Sequence, residues 1–170
     1  DIPEDKKVRI YYGNGEDSLE TAPAGSQHAQ IIDLVNAVNV ADLELGDGSR
    51  VQISAEQLLA WNPDVIVVNG EPKADLTGEG AAEKLMDNPM FATLKAVEDK
   101  KVYGTPNAPF SWVDRPRGPN RIIGIRWLAG LIYPEYLNYN VDDEVREFFS
   151  LFYHVDLTDE QLEKVYNGTI

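Results

Sequence analysis

Apolar positions along the 170-residue chain fall into short runs separated by polar, glycine- and proline-bearing stretches. Val8 to Tyr12, Val51-Gln52-Ile53, Val65-Ile66-Val67-Val68 and Lys101 to Gly104 are rich in β-branched and aromatic residues and end at turn formers, which predicts four strands. The run from Val65 to Val68 has no polar interruption, the pattern of a strand covered on both faces. Between the strands the apolar spacing changes to a helical one. Ser26 is placed to cap a helix through Ile31, Ile32, Leu34 and Val35, and Ser54 to cap one from Ala55 to Trp61 that Asn62-Pro63 stops. Ala81 to Lys100 reads as helical, with an interruption at Asn88-Pro89. Pro119 opens a helix running to about Ile132, apolar around most of its circumference and so expected to be well buried. Two acidic helices close the chain, Asp142 to Tyr153 and Thr158 to about Tyr166, the second starting with the capping box Thr158-Asp159-Glu160-Gln161. Strands alternating with helices predict an α/β fold, a three-layer α/β/α Rossmann-like lobe around a mainly parallel central sheet.

Charge narrows the function classes. With 29 acidic and 15 basic residues the net charge is −14, which argues against a nucleic-acid binder, whose basic footprint must displace counterions from phosphates. It also argues against adhesion to anionic membranes. The chain has no cysteine, so disulfides and thiolate metal sites are excluded. No apolar run reaches the length of a membrane span.

Catalytic signatures are missing: there is no G-x-S-x-G, H-E-x-x-H or complete phosphate loop, and Gly13-Asn14-Gly15 is a fragment of a dinucleotide fingerprint. No catalytic residue, resident metal or cofactor is expected. The most informative segment is the loop from Asn107 to Arg121. Arg115, Arg117 and Arg121 sit within seven residues of each other, beside Phe110 and Trp112. The loop follows a strand's C-terminal end and precedes a helix, where open α/β sheets hold ligands. Guanidinium groups there favour an anion, although pairing with Asp114 and packing of the aromatics explain the same residues. The loop from Asn14 to His28 leaves the sheet in the same way, and its Ser26, Gln27 and His28 offer hydrogen-bonding groups. A histidine at such a place is more often simply solvated than in contact with a ligand. His154, at the end of an acidic helix, reads as structural.

Ile53-Ser54-Ala55-Glu56-Gln57-Leu58-Leu59-Ala60-Trp61-Asn62-Pro63-Asp64-Val65-Ile66-Val67-Val68 resembles a signature of the periplasmic binding proteins that serve ABC importers of ferric siderophores, haem and cobalamin. The resemblance extends upstream through Tyr11-Tyr12-Gly13 and Asn39-Val40-Ala41, and downstream through Asn120 to Ala129 and Phe149 to Leu162. Where many members carry a double glycine before the Asn-Val-Ala element, this chain has Asn36-Ala37.

The resemblance implies a non-enzymatic protein that holds a small-molecule metal chelate and delivers it to ABC permease subunits, with metal oxoanions (molybdate, tungstate) and cobalamin as alternative ligands. It also implies that residues 1–170 form the C-terminal lobe of a two-lobed protein, with the N-terminal lobe and connecting helix absent. The isolated lobe is a candidate for dimerisation through its exposed cleft face. A periplasmic or cell-surface lipoprotein location follows from the same resemblance. Glu56 matches a carboxylate that docks onto permease arginines, and Tyr12, His28, Trp112, Arg115 and Arg117 are the expected ligand-facing residues. The competing expectations are a chelatase-like metal enzyme and a sensor domain.

Overall fold

The computed structural model describes residues 2–44, 50–114 and 118–167. The chain divides into two compact units, Asp1–Thr105 and Pro106–Ile170.

The first unit carries the sheet. In chain order its elements are β1 (Arg9–Asn14), β2 (Glu20–Thr21), α1 (Gln30–Leu34), β3 (Val38–Asn39), β4 (Val51–Gln52), α2 (Ala55–Trp61), β5 (Val65–Val68), α3 (Gly78–Met86), α4 (Lys95–Glu98) and β6 (Val102–Gly104). The strand order is β4-β2-β1-β5-β6, with β3 also paired to β1. β1, β5, β6 and β3 run parallel, whereas β2 is antiparallel to both β1 and β4. The expected mainly parallel α/β sheet is therefore present, with an antiparallel margin. β1 pairs with β5 from Ile10 to Gly13. Its other edge is shared: Arg9 and Ile10 pair with β3, while Gly13 and Asn14 pair with β2. β2 and β3 have two residues each, too few to produce a periodic pattern, and β2 lies within the loop expected after Asn14.

Alternation along the strands separates two faces. Tyr11, Ile66, Val68 and Val102 point into an apolar cluster with Leu58, Ala81, Leu85, Phe91 and Leu94, so α2, α3 and the segment before α4 cover that face. Each fully buried Leu or Ile there contributes about 1.5–3 kcal/mol. β6 and α3 approach so closely that no side chain fits between them: a Cβ on Gly104 would lie 2.1 Å from the backbone carbon of Gly78.

Local capping explains several boundaries. Ser54 accepts a hydrogen bond from the Gln57 N–H at 3.2 Å, as expected. At the other end of α2 the Arg9 guanidinium donates to the carbonyls of Trp61 (2.7 Å) and Asn62 (3.2 Å), groups a helix leaves unpaired. Asn62 takes the left-handed conformation, φ 42°, that ends the helix. The expected Ser26 cap does not form. Ser26 instead accepts from the His28 N–H within a turn, and α1 starts only after Ala29, which provides no side-chain cap. Asn36, of the Asn36-Ala37 pair, adopts φ 60°. Asparagine tolerates this region better than most residues.

The second unit is helical: α5 (Asn120–Ile132), α6 (Val141–Tyr153) and α7 (Asp159–Asn167), preceded by the long loop from Pro106. α5 packs on α6, and α6 on α7. Asn140 caps α6 by accepting from the N–H groups of Asp142 (2.8 Å) and Asp143 (3.2 Å). The predicted capping box forms reciprocally: Thr158 N–H donates to Gln161 at 2.9 Å, and Gln161 N–H donates to the Thr158 hydroxyl at 3.2 Å. α5 is less enclosed than its composition suggests. It buries Ile123, Trp127, Leu128 and Ile132 but leaves Ile122 half exposed.

Candidate functional site

β1, β5 and β6 end together at one edge of the first unit, and their register aligns three polar residues there. Tyr12 pairs with Val67 and Val67 with Tyr103, so the next residues of like orientation are Asn14, Asn69 and Thr105. The ladder continues past the strand ends: Asn69 N–H donates to the Gly13 carbonyl at 2.8 Å, and Thr105 N–H to the Val68 carbonyl at 2.8 Å. All three side chains lie on the face opposite the apolar cluster. The Thr105 hydroxyl donates to Asn69 Oδ1 at 2.6 Å. Asn14 is fully buried, and neither of its amide atoms has a hydrogen-bond partner among the described residues.

Tyr12 shares this face and is buried, 1% exposed. The loop after β1 folds back through β2, where Thr21 donates to the Tyr12 carbonyl at 2.9 Å. His28 follows in the same loop and is almost fully buried, as is Ser26. The structure thus keeps Tyr12 and His28 within one unit but shields both side chains from bulk water.

Glu56 occupies the first turn of α2 and is exposed. Its own backbone N–H and the Ser54 hydroxyl hold its carboxyl below the usual carboxylate range, so it is ionised at neutral pH. The helix start favours that charge as well. Asp64, beyond the other end of α2, accepts from the Arg9 N–H at 2.9 Å and pairs with Lys95 at 2.6 Å. Burial pushes its carboxyl up, but Lys95 and the Arg9 N–H more than offset this and leave it lowered.

In the second unit, the loop from Pro106 is built around Trp112. Its indole N–H donates to the Ala108 carbonyl at 3.0 Å, and its ring meets the edges or faces of Trp127 and Tyr166 at 6.5 and 5.9 Å between centroids. With no exposed surface, Trp112 is a packing residue; the expected stacking on a ligand is corrected by its burial. A single tryptophan in a loop carries no periodicity, so nothing in the sequence separated the two roles. Ser111 organises the next turn by accepting from the N–H groups of Val113 (3.3 Å) and Asp114 (3.1 Å). Asn120 fastens the loop to α5, its amide donating to the Phe110 carbonyl at 3.0 Å and its oxygen accepting from Tyr153. Phe110 is half exposed. The remaining two expected ligand residues, Arg115 and Arg117, lie outside the described residues.

Among the described residues no group of three or more His, Cys, Asp or Glu converges as metal ligands. No helix among them is long and apolar enough to cross a membrane. The sequence analysis did not single out Asn69 and Thr105, each the polar residue immediately after a parallel strand.

Residues 1–109 match the model of the periplasmic binding protein family. The molybdate-binding protein MolA of Haemophilus influenzae is 29% identical over 154 residues, covering 90% of this chain and 41% of the relative. Among solved structures, an ABC transporter solute binding protein from Sulfurospirillum deleyianum superposes with a TM-score of 0.86 at 32% identity, over 97% of this chain and 49% of that one. MolA bound to molybdate superposes with a TM-score of 0.72 at 27% identity, over 93% and 45%. The chain therefore spans about half the length of these relatives.

Proposed function

Because the chain belongs to the periplasmic binding protein family, we propose that it is one lobe, the C-terminal one, of an extracytoplasmic solute-binding component that delivers a metal-containing small molecule to an ABC permease. Binding and release make and break no covalent bond, so the mechanism is capture between surfaces followed by docking. The observation that carries the reading is the family match over residues 1–109, which includes the whole parallel sheet and α2.

Molybdate or a similar metal oxoanion is the first ligand reading. It is supported by the name of the 29%-identical relative and by the arginines of the loop after Pro106, which suit an anion. An iron chelate is the second reading, favoured by the signature around Glu56 and by the same anion chemistry. Arg115 and Arg117 are the proposed ligand-side residues, with Tyr12 and His28, buried in the first unit, and Trp112, buried in the second, proposed as packing that supports the binding surface. Glu56 is the proposed permease contact. It is charged, exposed and free of any ion pair among the described residues.

Calorimetric titration of the intact protein with molybdate, tungstate, ferric siderophores, haem and cobalamin tests the ligand reading. Affinity tighter than roughly 100 μM for one of these supports it, and none at that level overturns it. Glu56→Ala tests docking separately: ligand affinity stays unchanged while reconstituted uptake falls at least about tenfold, in line with loss of a charged interfacial contact. Unchanged uptake removes Glu56 from the interface.

A further inference from the structure

Most asparagines of this chain with described contacts have clear structural employment. Asn39 uses both amide atoms, donating to the Ala22 carbonyl and accepting from the Ala41 N–H, each at 3.0 Å. Asn62, Asn88 and Asn140 accept backbone N–H groups at helix or turn starts. Two asparagines depart from this pattern, and the register places them side by side at the carboxyl ends of β1 and β5. Asn14 has both amide atoms buried and unpartnered. Asn69 is half-buried, and its side chain makes one contact among the described residues, through its oxygen to the Thr105 hydroxyl.

That contact decides which way the Asn69 amide faces. At 2.6 Å it is too short for an ordinary N–H···O bond and matches an O–H···O bond, so Thr105 donates and the Asn69 oxygen accepts. Thr105 is itself buried, 2% exposed, and its backbone is fastened to Val68. The bond to its hydroxyl holds the Asn69 carboxamide with the NH2 group turned away from Thr105. Unlike the Asn39 NH2, which is bonded to the Ala22 carbonyl, this NH2 makes no bond to a backbone carbonyl among the described residues. Here two N–H donors are held ready at the strand ends, the place where open α/β sheets receive ligands.

We infer that Asn69 is a ligand-recognising residue, its NH2 group pre-aimed by Thr105 at an acceptor oxygen of the bound solute. The inference rests on the solute-binding reading above and deepens it: the solute presents oxygen acceptors, whether the oxygens of a metal oxoanion or the donor oxygens of an iron chelate. Thr105 is a positioning residue. It touches Asn69, and its effect on the ligand is indirect.

The test measures affinity of the intact protein for molybdate and for a ferric siderophore, in separate arms, for wild type and three variants. Asn69→Asp keeps the shape and the Thr105 contact but replaces the donor by an acceptor oxygen, and weakens the bound arm at least about 100-fold. Thr105→Val keeps the volume, removes the orienting hydroxyl and weakens binding about 5- to 20-fold, whereas Thr105→Ser restores it to within about twofold. Thermal melts of Thr105→Val and Thr105→Ser within a few degrees of each other make the comparison valid if Asn69→Asp fails to fold. Wild-type binding with all variants unchanged overturns this inference and leaves the transport reading standing. A Thr105→Ser variant as weak as Thr105→Val also overturns it, since orientation would then not be the cause. Absence of wild-type binding in both arms overturns the inference together with the solute reading it rests on.

Discussion

Replacing Gly104 by alanine puts the closest packing of the first unit to a quantitative test. The new Cβ would lie 2.1 Å from the Gly78 carbonyl carbon, 2.3 Å from its oxygen and 2.4 Å from the Glu79 nitrogen. All three are backbone atoms, so no rotamer change relieves the clash. Restoring an ordinary 3.4 Å contact requires β6 and the start of α3 to separate by about 1.3 Å. α3 is held by Ala81, Ala82 and Leu85 in the apolar cluster, so the separation opens that core as well. Overpacking costs typically 1–3 kcal/mol, and the absence of side-chain relief puts this case at about 3 kcal/mol. At a urea slope of about 2 kcal/mol/M the midpoint falls by about 1.5 M. Gly80 supplies the internal control. It lies in the same helix, but a Cβ there meets only the side chains of Leu76 and Thr77, each at 3.3 Å. Gly80→Ala gains up to about 1 kcal/mol of helix propensity and is neutral or stabilising. Urea unfolding of both variants decides the matter: a Gly104→Ala midpoint within about 0.3 M of wild type, at equal slope, refutes the close-approach reasoning.

Three further outcomes follow from contacts described above. Trp112→Ala removes a fully buried ring and its indole hydrogen bond, and costs about 3–5 kcal/mol in chemical denaturation; a loss under about 1 kcal/mol would return Trp112 to the ligand surface. Ser54→Ala removes the α2 cap and costs about 1 kcal/mol without moving ligand affinity, checked by denaturation and calorimetry together. Asp64→Asn weakens the pair with Lys95 and costs about 1 kcal/mol at pH 7, a modest figure because Lys95 is largely solvated. Since folding lowers the Asp64 pKa, its contribution is complete above the unfolded value near 3.9 and is lost as pH falls through the folded value. The stability gap between Asp64→Asn and wild type therefore closes below about pH 4; a gap constant from pH 7 to pH 3 rejects the ionic account.

Elements with several residues and a local start signal were legible in the sequence. β5 announced itself as four consecutive apolar residues, and α2, α6 and α7 by caps or periodicity that the structure reproduces. Residues whose role depends on distant partners were not. Ser26 has the composition of a helix cap, but the turn it closes with His28 competes for the same hydroxyl. Ile122 belongs to an apolar helix yet faces outward, because α5 meets α6 along a limited stripe. Trp112 and Asn69 show the two directions of the same difficulty. One is a ligand-like aromatic that tertiary packing encloses, and the other an inconspicuous asparagine that a hydroxyl 36 positions away orients.

The divided edge of β1 bears on how the chain acquires its structure. β1 pairs with residues eight, 29 and 55 positions downstream, through Gly13–Thr21, Arg9–Val38 and Ile10–Val65. At a synthesis rate of about 5–20 residues per second, β5 emerges roughly 3–11 s after the strand it completes. Until then Tyr11 and Tyr12 have no ladder partner, and the side of β1 that receives β5 is an exposed strand edge open to intermolecular pairing. The sheet's central pairing is consequently its least local, and cooperative formation waits for β5. In the folded protein the order reverses: amides of Tyr11, Tyr12, Ile66 and Val67 are expected to exchange only on global unfolding and those of β2 and β3 through local opening, a difference that native-state hydrogen exchange measures.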